Sequence, residues 1–495
     1  MLVATHTLDI DSGSEQVYCA LDCCLTHEIF AQLNNQRAAA NPAYSFELAL
    51  QAPVLEMMLR GFRVDPAARE LGITHVKKDI ARLEHIIETL TSTVLNRDVS
   101  KRNPKGKLIL PNSGIQLKDL FYNHLGIPPI STYSKGEVKF SMDREVLEKI
   151  GDYFQARPIV SAIMAHRDLE EQLQRLETEV DNDWRMRTSY NIGGTNEGRF
   201  SSSKSPTGSG GNLQNVNEDL RHIFISDPGY ILCGIDAEQS DSRMVGYMCG
   251  LLFNDWSYLD ACESGDLHTS VARMVWTDLP WTGDLRKDRK IADRPFYRHW
   301  NYRDASKRLG HGTNFMGKPP TMSTETTIPV NLVVAFREKY FSAFPCIPKW
   351  QTWAAGELQR HQQLTSIHGR KRDFFDRTDK DETIRKALAF LAAAPTADNI
   401  NLGMWKIWKH MPEVQLLAQV HDAVYFQFPE DMDKAKVVGR AQELLELPLV
   451  APNGRRFVVP TEAKVGYNWG NYVKADPETG RKEKNPRGLR KFTLN

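Results

Sequence analysis

The stretch Val414-Gln415-Leu416-Leu417-Ala418-Gln419-Val420-His421-Asp422-Ala423-Val424-Tyr425-Phe426-Gln427-Phe428 sets two β-prone apolar runs on either side of a polar dipeptide. That pattern predicts a tight hairpin with an acid at its tip. A second apolar run, Tyr230-Ile231-Leu232-Cys233-Gly234-Ile235-Asp236, also ends in an acid and is expected as a neighbouring strand of the same sheet. Two carboxylates on adjacent strand ends can grip a pair of magnesium ions, because magnesium takes oxygen ligands and phosphoryl transfer needs its attacking and leaving oxygens clamped. Taken singly, the dipeptide is more often a solvated turn and the strand-end Asp a helix cap.

Between the two lies Arg303-Asp304-Ala305-Ser306-Lys307-Arg308-Leu309-Gly310-His311-Gly312-Thr313-Asn314-Phe315. On a helix, Arg303, Lys307, His311 and Phe315 recur every four residues and fall along one face. Two cations and two rings form a cradle for a triphosphate with its sugar and base.

In order and spacing, DAEQSDSR, RDASKRLGHGTNF and QVHDAV resemble motifs A, B and C of the family A DNA polymerases, whose patterns run DYSQIELR, RxxxKxxxFGxxY and QVHDE. GRFSS...GNLQN resembles that family's TGRLSS...NLQN, SIHGRKR its GRRR turn, and VGYNWGNY its C-terminal palm segment. The similarity runs from about Glu47 to Trp469, and several ordered motifs together are specific where one alone is weak. It implies an α+β right-hand polymerase fold, an antiparallel palm sheet with helical fingers and thumb. The division implied is a thumb over about 66–182, a palm over about 183–267 and 341–470, and fingers over about 268–340.

The resemblance also assigns roles. Asp236 and Asp422, with the Ala237 carbonyl, would hold two Mg²⁺, for which Mn²⁺ can substitute. Lys307 joins the two acids as a catalytic group, a general acid to the leaving pyrophosphate, and Arg303 and His268 complete the phosphate contacts. Gln239, Asp241, His311 and Phe315 would surround the rest of the dNTP. Arg199, Gln214, Asn215, Gln419 and His421 would touch primer-template DNA near the primer end, feeling minor-groove acceptors that every correct base pair shares.

Several positions depart from the family pattern. Asp241 stands in place of a Glu that helps exclude the ribose 2′-OH, and its motif B partner is Phe315 where the family has a Tyr; ribonucleotide discrimination is expected to be weak. His311 replaces a Phe or Tyr. Ala423 stands where many relatives have a second acid. In KALAFLAAAPTADNINLGM, Ala and Pro occupy most places where the family carries an Arg, an Asn and a Gln.

Composition agrees with a large folded enzyme. The 495 residues are 41% hydrophobic and 25% charged, enough for several subdomains. With 63 Lys and Arg against 62 Asp and Glu, the net charge of +1 advertises no nucleic acid, so a polymerase would have to gather its cations in a cleft. Seven cysteines at irregular spacing argue for a reduced intracellular protein, and Cys19, Cys23 and Cys24 complete no zinc set. No signal peptide or membrane span is seen, which points to the cytoplasm, the host's if the chain is of phage origin.

Along the chain, residues 1–44 are expected to be a remnant of, or link to, an exonuclease domain. Tyr18-Cys19-Ala20-Leu21-Asp22 resembles the YxxxD element that ends such a domain, whereas Asp9 and Asp11 lie too close to it to supply the missing carboxylates. Proofreading then falls to a separate exonuclease, with a processivity factor as a further candidate partner. Val76, Ile80, Leu83, Ile87, Leu90 and Val94 predict one long amphipathic helix, and Leu169, Leu173 and Leu176 a second. Lys101, Arg102, Lys105 and Lys107 crowd a loop between them, a tip for duplex phosphates or only a solvated turn. The insertion SSSKSPTGSGG is expected to be mobile. Residues 471–495, with Arg481, Lys482, Lys484, Arg487, Arg490 and Lys491, are expected to be a disordered basic tail, solubilising sooner than DNA-binding.

Two rival functions remain at this point. A single-subunit RNA polymerase or sugar-relaxed polymerase shares the palm, and the acid at 241 argues against it. A non-catalytic primer-template binding protein would not need Asp236, Lys307 and Asp422. Compactness and irregular motifs suggest a phage or mobile-element replication polymerase.

Overall fold

The computed structural model describes residues 15–36, 42–95, 109–134, 137–205, 208–475 and 482–494. At its centre is a five-stranded antiparallel sheet built from β1 (Tyr230–Ala237), β2 (Gln415–Val420), β3 (Ala423–Pro429), β4 (Thr461–Gly466) and β5 (Arg490–Phe492), in the order β2-β3-β1-β4-β5. The expected hairpin and its neighbour are both present: Val420 pairs with Ala423 across the turn, and Ala423 with Asp236 on β1.

Alternation along β1 explains why the run reads as continuously apolar. Ile231, Cys233 and Ile235 enter one core with Val424, Phe426 and Phe428, while Leu232 enters another with Leu417, Ala418 and Trp469. A strand covered on both faces needs apolar residues at every position but its end. Its end is where the acid stands.

Among the helices are, in chain order, α1 (Glu15–Gln36), α2 (Pro66–Val94), α3 (Arg157–Leu176), α4 (Ser240–Phe253), α5 (Leu267–Val275), α6 (Tyr302–Asn314), α7 (Asp381–His410) and α8 (Lys434–Leu445). Both amphipathic helices expected from periodicity form: α2 starts at Asp65, which accepts from the Ala67 and Ala68 amides ahead of Pro66 at the first turn. α2 and α3 run together, tied by Arg69 Nε to the Leu176 carbonyl at 2.6 Å. α7 and α8 cover the inner face of the sheet, bringing Ile400, Met404, Val437 and Leu444 into its core.

A third core, rich in rings, holds the helices around α6. Tyr258, Tyr340 and Phe344 meet edge-on at 5.0 to 6.3 Å. Buried polar groups pin the end of α6: Asn314 Nδ2 donates to Tyr258 Oη, and Asn314 Oδ1 accepts from Tyr340 Oη, both at 2.8 Å. Gln351 Nε2 donates to the Thr313 and Asn314 carbonyls at 2.8 and 2.9 Å. Satisfied buried networks of this kind hold one orientation.

Two expectations are corrected. The Ser-rich insertion does not begin as mobile chain: Ser201–Lys204 is a strand paired with Thr188–Asn191, since a ladder needs only backbone groups, which serine supplies as well as any residue. Nor do the described residues 482–494 of the basic tail form a disordered appendage, because β5 completes the central sheet against β4 and Leu489 is buried. The basic loop at 101–107, Asp9, Asp11 and Arg481 lie outside the described residues. Tyr18 and Asp22 lie on α1, with Tyr18 exposed. No helix among the described residues is long and apolar enough to cross a membrane.

Candidate active site

Asp236 stands near the end of β1, and Asp422 in the two-residue turn between β2 and β3. The Ala237 amide donates to the Asp422 carbonyl at 3.1 Å, so ladder bonds between backbones set the acids side by side. His421 takes φ +54, a left-handed conformation uncommon outside glycine, which turns the chain tightly enough to present Asp422. Burial and the neighbouring Asp422 push the Asp236 carboxyl above its usual range. The residue also opens to solvent at the strand tip. Burial likewise pushes Asp422 up, against the pull of Arg199.

Arg199 supplies a cation to the site. Its Nη2 lies 3.2 Å from Asp422 and 3.4 Å from each Asp241 oxygen, and its Nε is buried without a partner. Crowded carboxylates at a strand tip call for positive charge, and a guanidinium meets that need among the protein's own groups.

Across the cleft, α6 carries the expected cationic face, with Asn301 capping its first turn by accepting from the Asp304 amide at 2.7 Å. Lys307 and His311 join Ala237, Gln239, Asp241, His268 and Asp422 in the wall of one cavity of about 670 Å³. Burial lowers the His311 ring below its usual pKa. Phe315 falls just past the helix end, 4.9 Å from the His311 ring and edge-on to Trp350 at 6.4 Å, and lines a separate 170 Å³ pocket. Asp241 pairs with Arg199.

Arg303 is absent from the cavity wall; its Nε donates to Asp266 Oδ2 at 2.9 Å. Arg289 Nη1 donates to the same oxygen at 2.9 Å. Burial pushes Asp266 up, but bonds from Arg303 and Thr269 outweigh it and bring the carboxyl to about 2. Asp266 also caps α5, accepting from the His268 and Thr269 amides. Burial and the Arg303 charge push His268 down to about 4, so its ring is neutral at pH 7.

The residues expected at DNA gather below the strand tip. Gln214 Nε2 donates to Gln419 Oε1 at 3.2 Å, and Gln419 Nε2 to the His421 carbonyl at 2.6 Å. Asn215 instead offers its carbonyl to Arg175 of α3. Three participants went unnoticed in the sequence. Asp266 could have been found as an acid directly before a helical pattern; Tyr190, which accepts from the Gln419 amide at 3.3 Å, and Glu462, paired with Asp236 across β4, carry no local signal.

Among the described residues no group of three or more His, Cys, Asp or Glu side chains forms a metal cage. The pair at the strand tip still fits magnesium, which is commonly bound by one or two carboxylates together with substrate phosphates. Its donors are hard oxygens, and burial with mutual repulsion leaves them short of positive charge.

An antiparallel sheet with paired acids at its tip, facing a cationic helix across a cleft and flanked by a long two-helix arm, is the architecture of the right-hand polymerases. Residues 81–471 match the family model for DNA polymerase family A, and the chain belongs to that family. It is 27% identical over 448 residues to the thermostable DNA polymerase I of Thermus aquaticus, covering 86% of this chain and 47% of that one. It is 26% identical over 478 residues to DNA polymerase I of Chloroflexus aurantiacus, covering 90% and 45%. The POL domain of Pol1 from M. smegmatis, solved in complex with DNA primer-template and dNTP, superposes with a TM-score of 0.67 at 20% identity, covering 85% of this chain and 69% of that one. The chain thus spans about half the length of the curated relatives it matches.

Proposed function

We propose that this chain is a template-directed DNA polymerase that extends a primer 3′-OH with dNTPs, releasing pyrophosphate. The observation that carries the reading is the single cavity in which Asp422 and Ala237 of the sheet face Lys307, His268 and His311 of the helical wall. Two Mg²⁺ ions, with Mn²⁺ as substitute, would be held by Asp236, Asp422 and the Ala237 carbonyl and would supply the clamp on attacking and leaving oxygens. Lys307 neutralises charge on the triphosphate and hands a proton to the pyrophosphate as it leaves. Arg303, oriented through its Nε by Asp266, turns its remaining donors to the terminal phosphates. His268, neutral, adds a hydrogen bond without adding charge, and His311 packs at the sugar. Arg199 leaves Asp422 for the primer terminus, where Gln214, Gln419 and His421 position the 3′-OH.

Domain roles follow. α2 and α3 form the thumb, α5 and α6 the core of the fingers, and the five-stranded sheet the palm; residues 1–44 are a remnant of, or link to, an exonuclease domain. DNA replication in a phage or mobile element is the setting we favour.

Primer extension on a simple template with Mg²⁺, dNTPs against rNTPs, and Asp422→Asn as control tests the reading. Extension by dNTPs that vanishes in the variant supports it. Tight primer-template binding with no extension would favour a non-catalytic binding protein. The rNTP lane measures the sugar gate: with Asp241 drawn to Arg199 and Phe315 turned to Trp350, weak discrimination is expected, and rNTP extension as efficient as dNTP extension would favour the sugar-relaxed reading.

A further inference from the structure

The basic C-terminal segment reaches the row of residues that carries the catalytic acid. β5 lies past residue 471, where the family match ends, and pairs Lys491 with Lys464 of β4. β4 in turn pairs Glu462 with Asp236 and Lys464 with Gly234. Residues directly opposed on an antiparallel ladder project to one face with Cβ atoms about 5 Å apart. Ala423, Asp236 and Glu462 therefore form one row across the sheet, with Lys464 and Lys491 in the next row on the same face. Asp236 has a methyl group on one side and a carboxylate on the other.

Both Glu462 oxygens are held. Lys491 Nζ lies 2.5 Å from Oε2, and Lys464 Nζ 3.4 Å from Oε1. The Lys491 side chain is 59% exposed, and an ion pair at such a surface contributes little to stability. Its action is on Glu462, which it holds directly opposite Asp236 on the ladder.

We propose that the C-terminal strand is a working part of the palm, in which Lys491 is a positioning residue that holds Glu462 beside Asp236 and so sets the affinity of the Asp236–Asp422 pair for divalent cations. The inference rests on the two-metal reading of the palm. Glu462 adds negative charge next to Asp236; Lys491 offsets it and fixes where it points. Without Lys491, Glu462 faces the cation site with less compensation and strengthens it. Without Glu462, Lys491 has no anion through which to act.

Mn²⁺ binding to the full chain, without DNA or nucleotide, can be followed by the electron paramagnetic resonance signal of the free ion. Glu462→Gln should weaken binding by ~3-fold or more, and Lys491→Met should tighten it by a similar factor, as expected for one charge at this range. The double variant should match Glu462→Gln alone, and Lys491→Arg should match the wild type. Unchanged affinity in Glu462→Gln, or a Lys491→Met effect that persists in the double variant, overturns the inference. If Asp236→Asn binds Mn²⁺ as tightly as the wild type, the two-metal reading itself fails and takes the inference with it. A normal Asp236→Asn loss beside inert Glu462 and Lys491 variants overturns the inference alone.

Discussion

The two walls of the cleft hold their functional groups by different means. On the palm side, Asp236 and Asp422 are set by backbone: Ala423 pairs with Asp236, and the Ala237 amide bonds to the Asp422 carbonyl. On the helical side, Arg303 and Arg289 are held by a counter-ion, both on one oxygen of Asp266. Arg199 belongs to the second kind although it serves the first wall, since its guanidinium rests on Asp422 and Asp241. Groups that must keep one geometry are carried by the ladder. On the proposed reading, groups that change partners as substrate arrives are carried by ion pairs. Substitution of the ladder-held acids should therefore strike chemistry, and of the ion-paired Arg303 and Asp266 mostly binding.

The largest test of that contrast is Asp422→Asn. Single-turnover extension should slow by about 10³-fold or more, while primer-template affinity by fluorescence anisotropy stays within roughly 3-fold. A loss of only about tenfold would place the essential charge elsewhere. Next is Lys307→Ala, expected to lower kcat by roughly 10²-fold, the usual range for a proton donor. Lys307→Arg should recover nucleotide binding but not kcat, because a guanidinium keeps its proton. Equal rescue of both would make Lys307 a simple counter-charge and move it to the binding side of the comparison.

Asp266→Asn sharpens the fingers half. With its charge gone, Arg303 and Arg289 lose their common anchor, and KM for dNTP should rise by roughly tenfold, the worth of one charge-assisted bond, with kcat nearly unchanged. A fall in kcat with constant KM would mean that Asp266 positions the reacting phosphate.

What was legible in the sequence follows the same division. The hairpin around His421-Asp422, the strand ending in Asp236 and helix α6 all announce themselves by local period, and their acids and cations sit where those periods put them. Links between distant segments do not. Arg199 and Asp422 are 223 residues apart in the chain, and nothing near either one names the other. Glu462 reads as one acid in a short strand until register sets it against Asp236. β5 misled most, because Lys, Gly and Pro around three strand residues have the composition of a tail, while edge pairing asks only for free backbone groups on β4.

The smallest expected effect is on stability, and the two walls should respond to acid with opposite signs. Asp236 and Asp422 have folded pKa values above their unfolded ones, so their contribution is complete below the unfolded value of about 3.9 and is lost as pH rises through the folded values. His268, at about 4 when folded against roughly 6.5 unfolded, contributes fully above the unfolded value and loses that contribution as pH falls toward 4. Asp266, at about 2, holds its contribution above roughly 3.9 and loses it as pH falls through 2. At pH 7 without divalent ions, Asp236→Asn should therefore raise Tm, on the order of 1 °C, with the gain shrinking as pH approaches 4. His268→Gln should flatten the decline of Tm between roughly pH 6.5 and 4 and leave Tm differences above that window constant. Calorimetry over that range checks both. If Asp236→Asn melts at or below the wild-type temperature at pH 7, the strand tip is not charge-frustrated, Arg199 already balances it, and the contrast between a backbone-fixed palm and an ion-paired fingers wall loses its electrostatic half.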